Sequence, residues 1–175
     1  MSNFKIESLL AARLFLSPQL AGDRLYFISN LSGRLSLYAM DRTGSVPEPL
    51  LPPDIGLMTP EMVGPTPFYV FPKLGKVIVM IDRDGDENYQ PFTVPLEGGF
   101  PEPLFVDRFA GMQLTLSHCD PEHNRFFLGV DPRRNPNMET YLVDLETGEL
   151  TFLGTSIYGN QVVGVSDDYA RVALA

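Results

Sequence analysis

The tetrapeptide Pro47-Glu48-Pro49-Leu50 returns unchanged as Pro101-Glu102-Pro103-Leu104, 54 residues later. Each copy closes a longer phrase made of an apolar run, a polar turn, a second run and a tight turn. The phrase occurs a third time with different loops. Self-similarity at this period means one supersecondary unit used repeatedly, because a single unit cannot bury its own apolar faces.

Aligned on their turns, the first runs are Leu25–Ile28, Val77–Ile81 and Phe126–Val130. They are short, rich in β-branched and aromatic residues, and apolar at successive positions, the pattern of a strand buried on both faces. Turns precede them at Ala21-Gly22-Asp23, Leu74-Gly75-Lys76 and Glu122-His123-Asn124. Polar connections follow at residues 29–33, 82–86 and 131–137, where Asn, Asp and Gly supply positive φ angles and local hydrogen bonds. The next strands are expected at 35–40, 89–94 and 140–144, and short last strands at Leu50-Leu51, Leu104-Phe105 and Phe152-Leu153. Pro18 to Pro72 is again 54 residues, and Tyr141 follows Phe92 by 49.

Units of about 40 to 50 residues built from strands and turns are β-propeller blades. A β-sandwich is the alternative, but it does not require the same turn residues at a fixed period. The expected fold is all-β: four-stranded antiparallel blades at about 17–51, 68–105 and 112–153. Residues 161–175 would begin a fourth blade, and residues 1–16 form a short helix or a closing strand. The prolines between 52 and 67 forbid a regular helix and predict an extended connection into an innermost strand at Phe68–Phe71. An arc of three blades and a stub is expected to be a fragment of a larger ring. Its exposed edges would favour self-association.

The net charge of −9 disfavours nucleic acid and anionic membrane as partners. The single cysteine, Cys119, excludes an intramolecular disulfide and suits a reducing, cytoplasmic setting. No run reaches the roughly 18 apolar residues of a membrane-spanning helix.

The segments Ser17–Asn30 and Asp82–Gln90, the latter holding Asp84-Gly85-Asp86-Glu87-Asn88-Tyr89-Gln90, resemble blades of the TolB-type propeller repeat. More narrowly, they are similar to the N-terminal propeller of prolyl-oligopeptidase-family serine peptidases, the acylaminoacyl-peptidase and dipeptidyl-peptidase-like branch. Arg134-Asn135-Pro136-Asn137 followed by Tyr141–Leu145 has the same likeness. The resemblance implies a non-catalytic half that gates peptide substrates, with the catalytic triad in a C-terminal α/β-hydrolase domain that nothing here matches. A stand-alone TolB-like interaction propeller is the alternative, and a metal-using lactonase-like propeller a third reading.

Within the chain, Gly164-Val165-Ser166-Asp167-Asp168 lacks the last glycine of a nucleophile elbow, so Ser166 is expected to be a turn residue and no catalytic residue is assigned. The acidic run from Asp82 to Glu87 fails the helical-loop calcium spacing, with Gly85 at position four and Thr93 at twelve. It reads as a solvated turn. His118, Cys119 and His123 lack the second ligand pair of a zinc site, so neither metal nor cofactor is expected. The candidates for substrate contact are Arg83, Arg133 and Arg134, with Arg108 beside them, suited to a peptide carboxylate, and Glu87, suited to a peptide amino terminus.

Overall fold

A computed structural model of the chain describes residues 12–57, 67–83 and 85–175. Three antiparallel four-stranded meanders follow one another. The first is β1 (Phe15–Ala21), β2 (Arg24–Ser29), β3 (Ser36–Asp41) and β4 (Glu48–Pro49). The second is β5 (Phe68–Phe71), β6 (Lys76–Ile81), β7 (Gln90–Pro95) and β8 (Glu102–Pro103). The third is β9 (Gln113–Asp120), β10 (Arg125–Asp131), β11 (Met138–Asp144) and β12 (Leu150–Ser156). A hairpin of β13 (Val162–Val165) and β14 (Val172–Leu174) starts the next unit. The architecture is the all-β arc expected from the repeat. Among the described residues, no helix is long and apolar enough to cross a membrane.

β1 begins at Phe15, ahead of the expected start of the first blade. The prolines at 60 and 65 lie outside the described residues, as do residues 1–11 and Asp84.

The second strand of each sheet explains the doubly apolar runs. Tyr26 and Ile28 belong to the core between the first two sheets together with Val77 and Val79 of β6. Ile78 and Met80, on the opposite face of β6, belong to the core shared with Phe126, Leu128 and Val130 of β10. Alternation along one strand thus feeds two cores, one per face. All nine of these side chains are at most 2% exposed.

Polar clasps set each sheet against the next. The Gln19 side chain of β1 donates to Phe68 O (2.7 Å) and accepts from Val70 N–H (3.2 Å), satisfying the free edge of β5. Gln90 donates to Met112 O (2.7 Å), and Leu114 N–H to Tyr89 O (3.0 Å), joining the second sheet to the third. Arg24 pairs with Glu48 of its own sheet (2.6 Å) and with Glu97 in the β7–β8 turn.

The ladders show what the repeated tetrapeptide does. Tyr38 pairs with Pro49 and Ala39 with Glu48; Phe92 pairs with Pro103 and Thr93 with Glu102. Leu50 N–H donates to Leu37 O (2.9 Å) and Leu104 N–H to Pro91 O (3.0 Å). Because bonding direction alternates along a strand, the N–H groups of Glu48 and Glu102 also face inward. Positions 47, 49, 101 and 103 face outward, and each is a proline, which has no N–H to offer. The short last strand is therefore the Glu-Pro pair rather than the following leucines. In the third sheet it is the longer Leu150–Ser156.

The Phe92–Tyr141 spacing does link equivalent ladder positions, paired to Val79 and Leu128. The Pro18–Pro72 spacing does not: Pro18 lies within β1, whereas Pro72 opens a one-turn 3-10 helix after β5. The equivalent turn residues are Gly22 and Gly75, with φ of 59° and 65°.

Gly98 combines a left-handed backbone with a close approach of the neighbouring sheet. Its φ is +87°, and an added Cβ would stand 2.9 Å from Leu50 Cα, where the β7–β8 turn meets the first sheet. Gly44, in the equivalent β3–β4 turn, has φ +100° and open space around it. Gly98→Ala is expected to cost about 3 kcal/mol, from positive-φ strain plus backbone collision. Gly44→Ala should cost about 1 kcal/mol, from strain alone. Urea unfolding of the two variants compares them directly, and equal losses would remove the collision from the account.

Candidate functional site

In a four-stranded meander the second strand ends where the third begins, and the fourth ends at that same end. The β2–β3, β6–β7 and β10–β11 loops therefore share one end of the arc with the sheet-to-sheet crossovers. Arg83 and Glu87 lie in the β6–β7 loop, and Arg133 and Arg134 in the β10–β11 loop. All four are exposed. Sequence thus placed the candidates in loops, and the topology places both loops at one end.

The β6–β7 loop borders a cleft of about 440 Å³ lined by Asp82, Arg83, Asp86, Gln90, Phe92 and Asp107 among others. A second cleft, toward the first sheet, shares Ile81, Asp82, Arg83 and Phe92 with it. Arg83 is the one sequence candidate that lines either; Glu87, Arg133 and Arg134 line neither. Phe92, Phe105 and Asp107 were missed because their runs resemble ordinary strand and crossover segments.

The acidic loop is organised by its own backbone. Asp86 Oδ1 accepts from Asn88 N–H (3.0 Å) and Arg83 N–H (3.3 Å). Slight desolvation works to raise the pKa of the exposed Asp86, but these donors outweigh it and hold the carboxyl below its ordinary value. Glu87 holds φ +58°, a left-handed position that turns the chain back toward β7. Beneath the loop Tyr89 is 2% exposed, and burial pushes its phenol pKa up. The β10–β11 loop has the same economy: Asp131 Oδ1 accepts from Arg133 N–H (2.8 Å), and Arg133 sits at φ +58°. Its Nε is 3.9 Å from Asp131 Oδ2. Arg134 is left to solvent.

The opposite end carries a second cluster, His118, Asp120, His123, Ser166 and Tyr169, around a cleft of about 350 Å³. His123 Nδ1 lies 2.8 Å from Asp120 Oδ2, and the Tyr169 hydroxyl donates to the same oxygen. The composition evokes a Ser-His-Asp triad, which requires a serine bonded to the histidine. Ser166 Oγ instead lies 2.7 Å from Asp168 Oδ1 and accepts from Arg171 N–H (3.0 Å), as a turn residue does. His118 is exposed, whereas Cys119 faces the core, where burial pushes its thiol pKa up. Neighbours on a strand point to opposite faces, so the His-Cys pair cannot share a metal ion. No group of three or more metal-ligating side chains converges among the described residues.

The cluster instead ties the third sheet to the β13–β14 hairpin. Arg125 caps the Tyr169 ring at 4.9 Å, and Phe127 stacks on it at 6.4 Å. Burial works to raise the Asp120 pKa, but hydrogen bonds from Tyr169 and His123 bring it down to about 2. A folded-state pKa below the unfolded one stabilises above the unfolded value, and this stability disappears as pH falls through the folded value. The tie is thus expected to contribute about 2 kcal/mol at neutral pH, lost between pH 4 and about 2. Tyr169→Phe should remove most of that acid dependence, measured as urea stability against pH; an unchanged acid limb would show that Asp120 is not held by Tyr169.

No family model matches the sequence, and no curated protein matches it. Solved structures do. A putative TolB from Agrobacterium tumefaciens aligns with TM-score 0.58 and 18% identity, over 85% of this chain and 48% of that one. A chain of a nidogen/laminin complex aligns with TM-score 0.59 and 10% identity, over 93% and 57%. A puromycin-hydrolysing peptidase from Mycobacterium tuberculosis aligns with TM-score 0.58 and 19% identity, over 80% of this chain and 20% of that one. The chain thus spans about half of the TolB chain and a fifth of the peptidase chain. The chain has a TolB-like β-propeller fold, present as an arc of three four-stranded sheets and a two-stranded start of the next.

Proposed function

We propose that this arc is the propeller segment of a prolyl-oligopeptidase-like serine peptidase, acting in the cytoplasm. Its role is to gate entry and help hold peptide substrates, while an α/β-hydrolase domain of the full-length protein performs hydrolysis. The observation that carries this reading is the alignment of 80% of the chain with only 20% of a peptidase. The Asp82–Gln90 segment adds to it, with Arg83 and Glu87 presented on a loop tied down by Asp86. Exposed guanidinium groups on loops braced by their own hydrogen bonds suit capture of a peptide carboxylate. Glu87 suits a peptide amino group.

The likeness to TolB and to a chain of the nidogen/laminin complex favours a second reading, a stand-alone interaction propeller without hydrolase. The coding sequence of the full-length protein discriminates. A downstream G-x-S-x-G followed by Asp and His in hydrolase order supports the peptidase, and its absence favours the interaction module.

On the full-length enzyme, Arg133→Ala/Arg134→Ala should raise KM for short peptides about tenfold with kcat little changed, the pattern of lost uniform binding. The isolated chain should not turn over aminoacyl or acyl-peptide chromogenic substrates. Turnover by the purified chain would contradict the non-catalytic role, and an unaltered KM would remove the two arginines from it.

A further inference from the structure

Arg24, Lys76 and Arg125 open the second strands and pair with Asp41, Pro95 and Asp144. Counting back along the third strands, Ala39, Thr93 and Leu142 are equivalent. Their outer partners are Glu48, Glu102 and Thr151. Leu150 and Phe152 therefore stand where the first two sheets have Pro47/Pro101 and Pro49/Pro103.

The two prolines and the glutamate between them are an edge guard. Prolines at the outward positions leave no N–H for a new strand, and a charge on the edge repels one. The third sheet has lost all three elements. Asp144 N–H donates to Glu149 O (3.0 Å), so alternation turns Thr151 inward and the N–H and C=O groups of Leu150 and Phe152 outward. β12 is seven residues long against two for β4 and β8, and none of its residues is charged. Thr151, Phe152 and Leu153 are exposed, Phe152 at 55%. The ladder irregularity opposite Thr140 and Tyr141 lies beyond Phe152, leaving Leu150–Phe152 straight.

We propose that the β12 edge is a strand-pairing site and that its occupant is a second copy of this chain. A two-fold axis through Thr151 sets Leu150 opposite Phe152 of the partner in both directions, forming four backbone hydrogen bonds. The two Thr151 side chains then face each other as a non-hydrogen-bonded pair, a favourable cross-strand combination. The same surface meets itself, as a two-fold interface requires. Charge selects the place: on a chain of net charge −9, this uncharged strip is where two copies can meet edge to edge without opposed carboxylates. The equivalent meeting of β4 or β8 would set Glu48 or Glu102 against itself.

Sedimentation velocity of the purified chain over a concentration series tests the assignment. Wild type should show a concentration-dependent monomer–dimer equilibrium. Thr151→Glu restores the missing charge at an exposed position and should yield monomer, as should Thr151→Lys. An equimolar mixture of these two variants should recover the dimer, because opposite charges then face across the axis. Grafting the whole guard, Leu150→Pro/Thr151→Glu/Phe152→Pro, should also give a monomer with its strand signal intact by circular dichroism. Should that graft fail to fold, the single charge variants decide alone. A wild type that stays monomeric at high micromolar concentration overturns the proposal, as does a dimer that survives Thr151→Glu. So does a dimer lost in both charge variants and not regained on mixing. None of these outcomes bears on the peptidase reading, which rests on the coding sequence and on substrate kinetics.

Discussion

Every sheet in this arc is stable because its neighbour covers it. A four-stranded antiparallel sheet with two apolar faces has nowhere to put them in isolation, and the chain resolves this by making the second strand of each sheet apolar at successive positions. Val77 and Val79 go back toward the first sheet, Ile78 and Met80 forward toward the third. Stacking of this kind makes stability a sum of neighbour interfaces. It also makes the interface, more than the sheet, the unit that the polar clasps serve. Gln19 and Gln90 reach across to backbone groups that the adjacent sheet leaves unpaired, and the Asp120–Tyr169 contact does similar work for the last hairpin.

Stacking handles the faces and leaves the outer edges. Two of the three outer strands are cut to two residues and closed with proline on the outward side. The feature most visible in the sequence, a repeated Pro-Glu-Pro-Leu, therefore marks a place where the chain declines to pair further. Its absence from the third sheet carries equal meaning, because the same ladder position there presents Leu150, Thr151 and Phe152.

Much of the fold was legible in the sequence. The three doubly apolar runs, the inner strand at Phe68–Phe71 and the hairpin beginning the fourth unit all lie where periodicity and turn chemistry put them. The last strands were displaced to Leu50-Leu51 and Leu104-Phe105, since proline argues against strand in a pattern reading. It is tolerated here because the position is an edge with an outward N–H. The chance spacing of Pro18 and Pro72 looked like part of the repeat, yet one lies in a strand and the other in a turn. Of the candidate site, the loops were legible and their company was not. Nothing local to Arg83 indicates that Phe92 and Asp107 line the same cleft, because those contacts depend on strand register and on the crossover into the next sheet.

The sequence alone determined the architecture: a strand-and-turn unit repeated at spacings of 54 and 49 residues admits few folds other than stacked sheets. The tertiary structure decided which backbone groups face outward and which residues of different sheets share an end. It likewise decided which carboxylates are held ionised by neighbouring donors. These properties depend on hydrogen-bond direction and on contacts between residues far apart in the chain, and neither is written in composition or period.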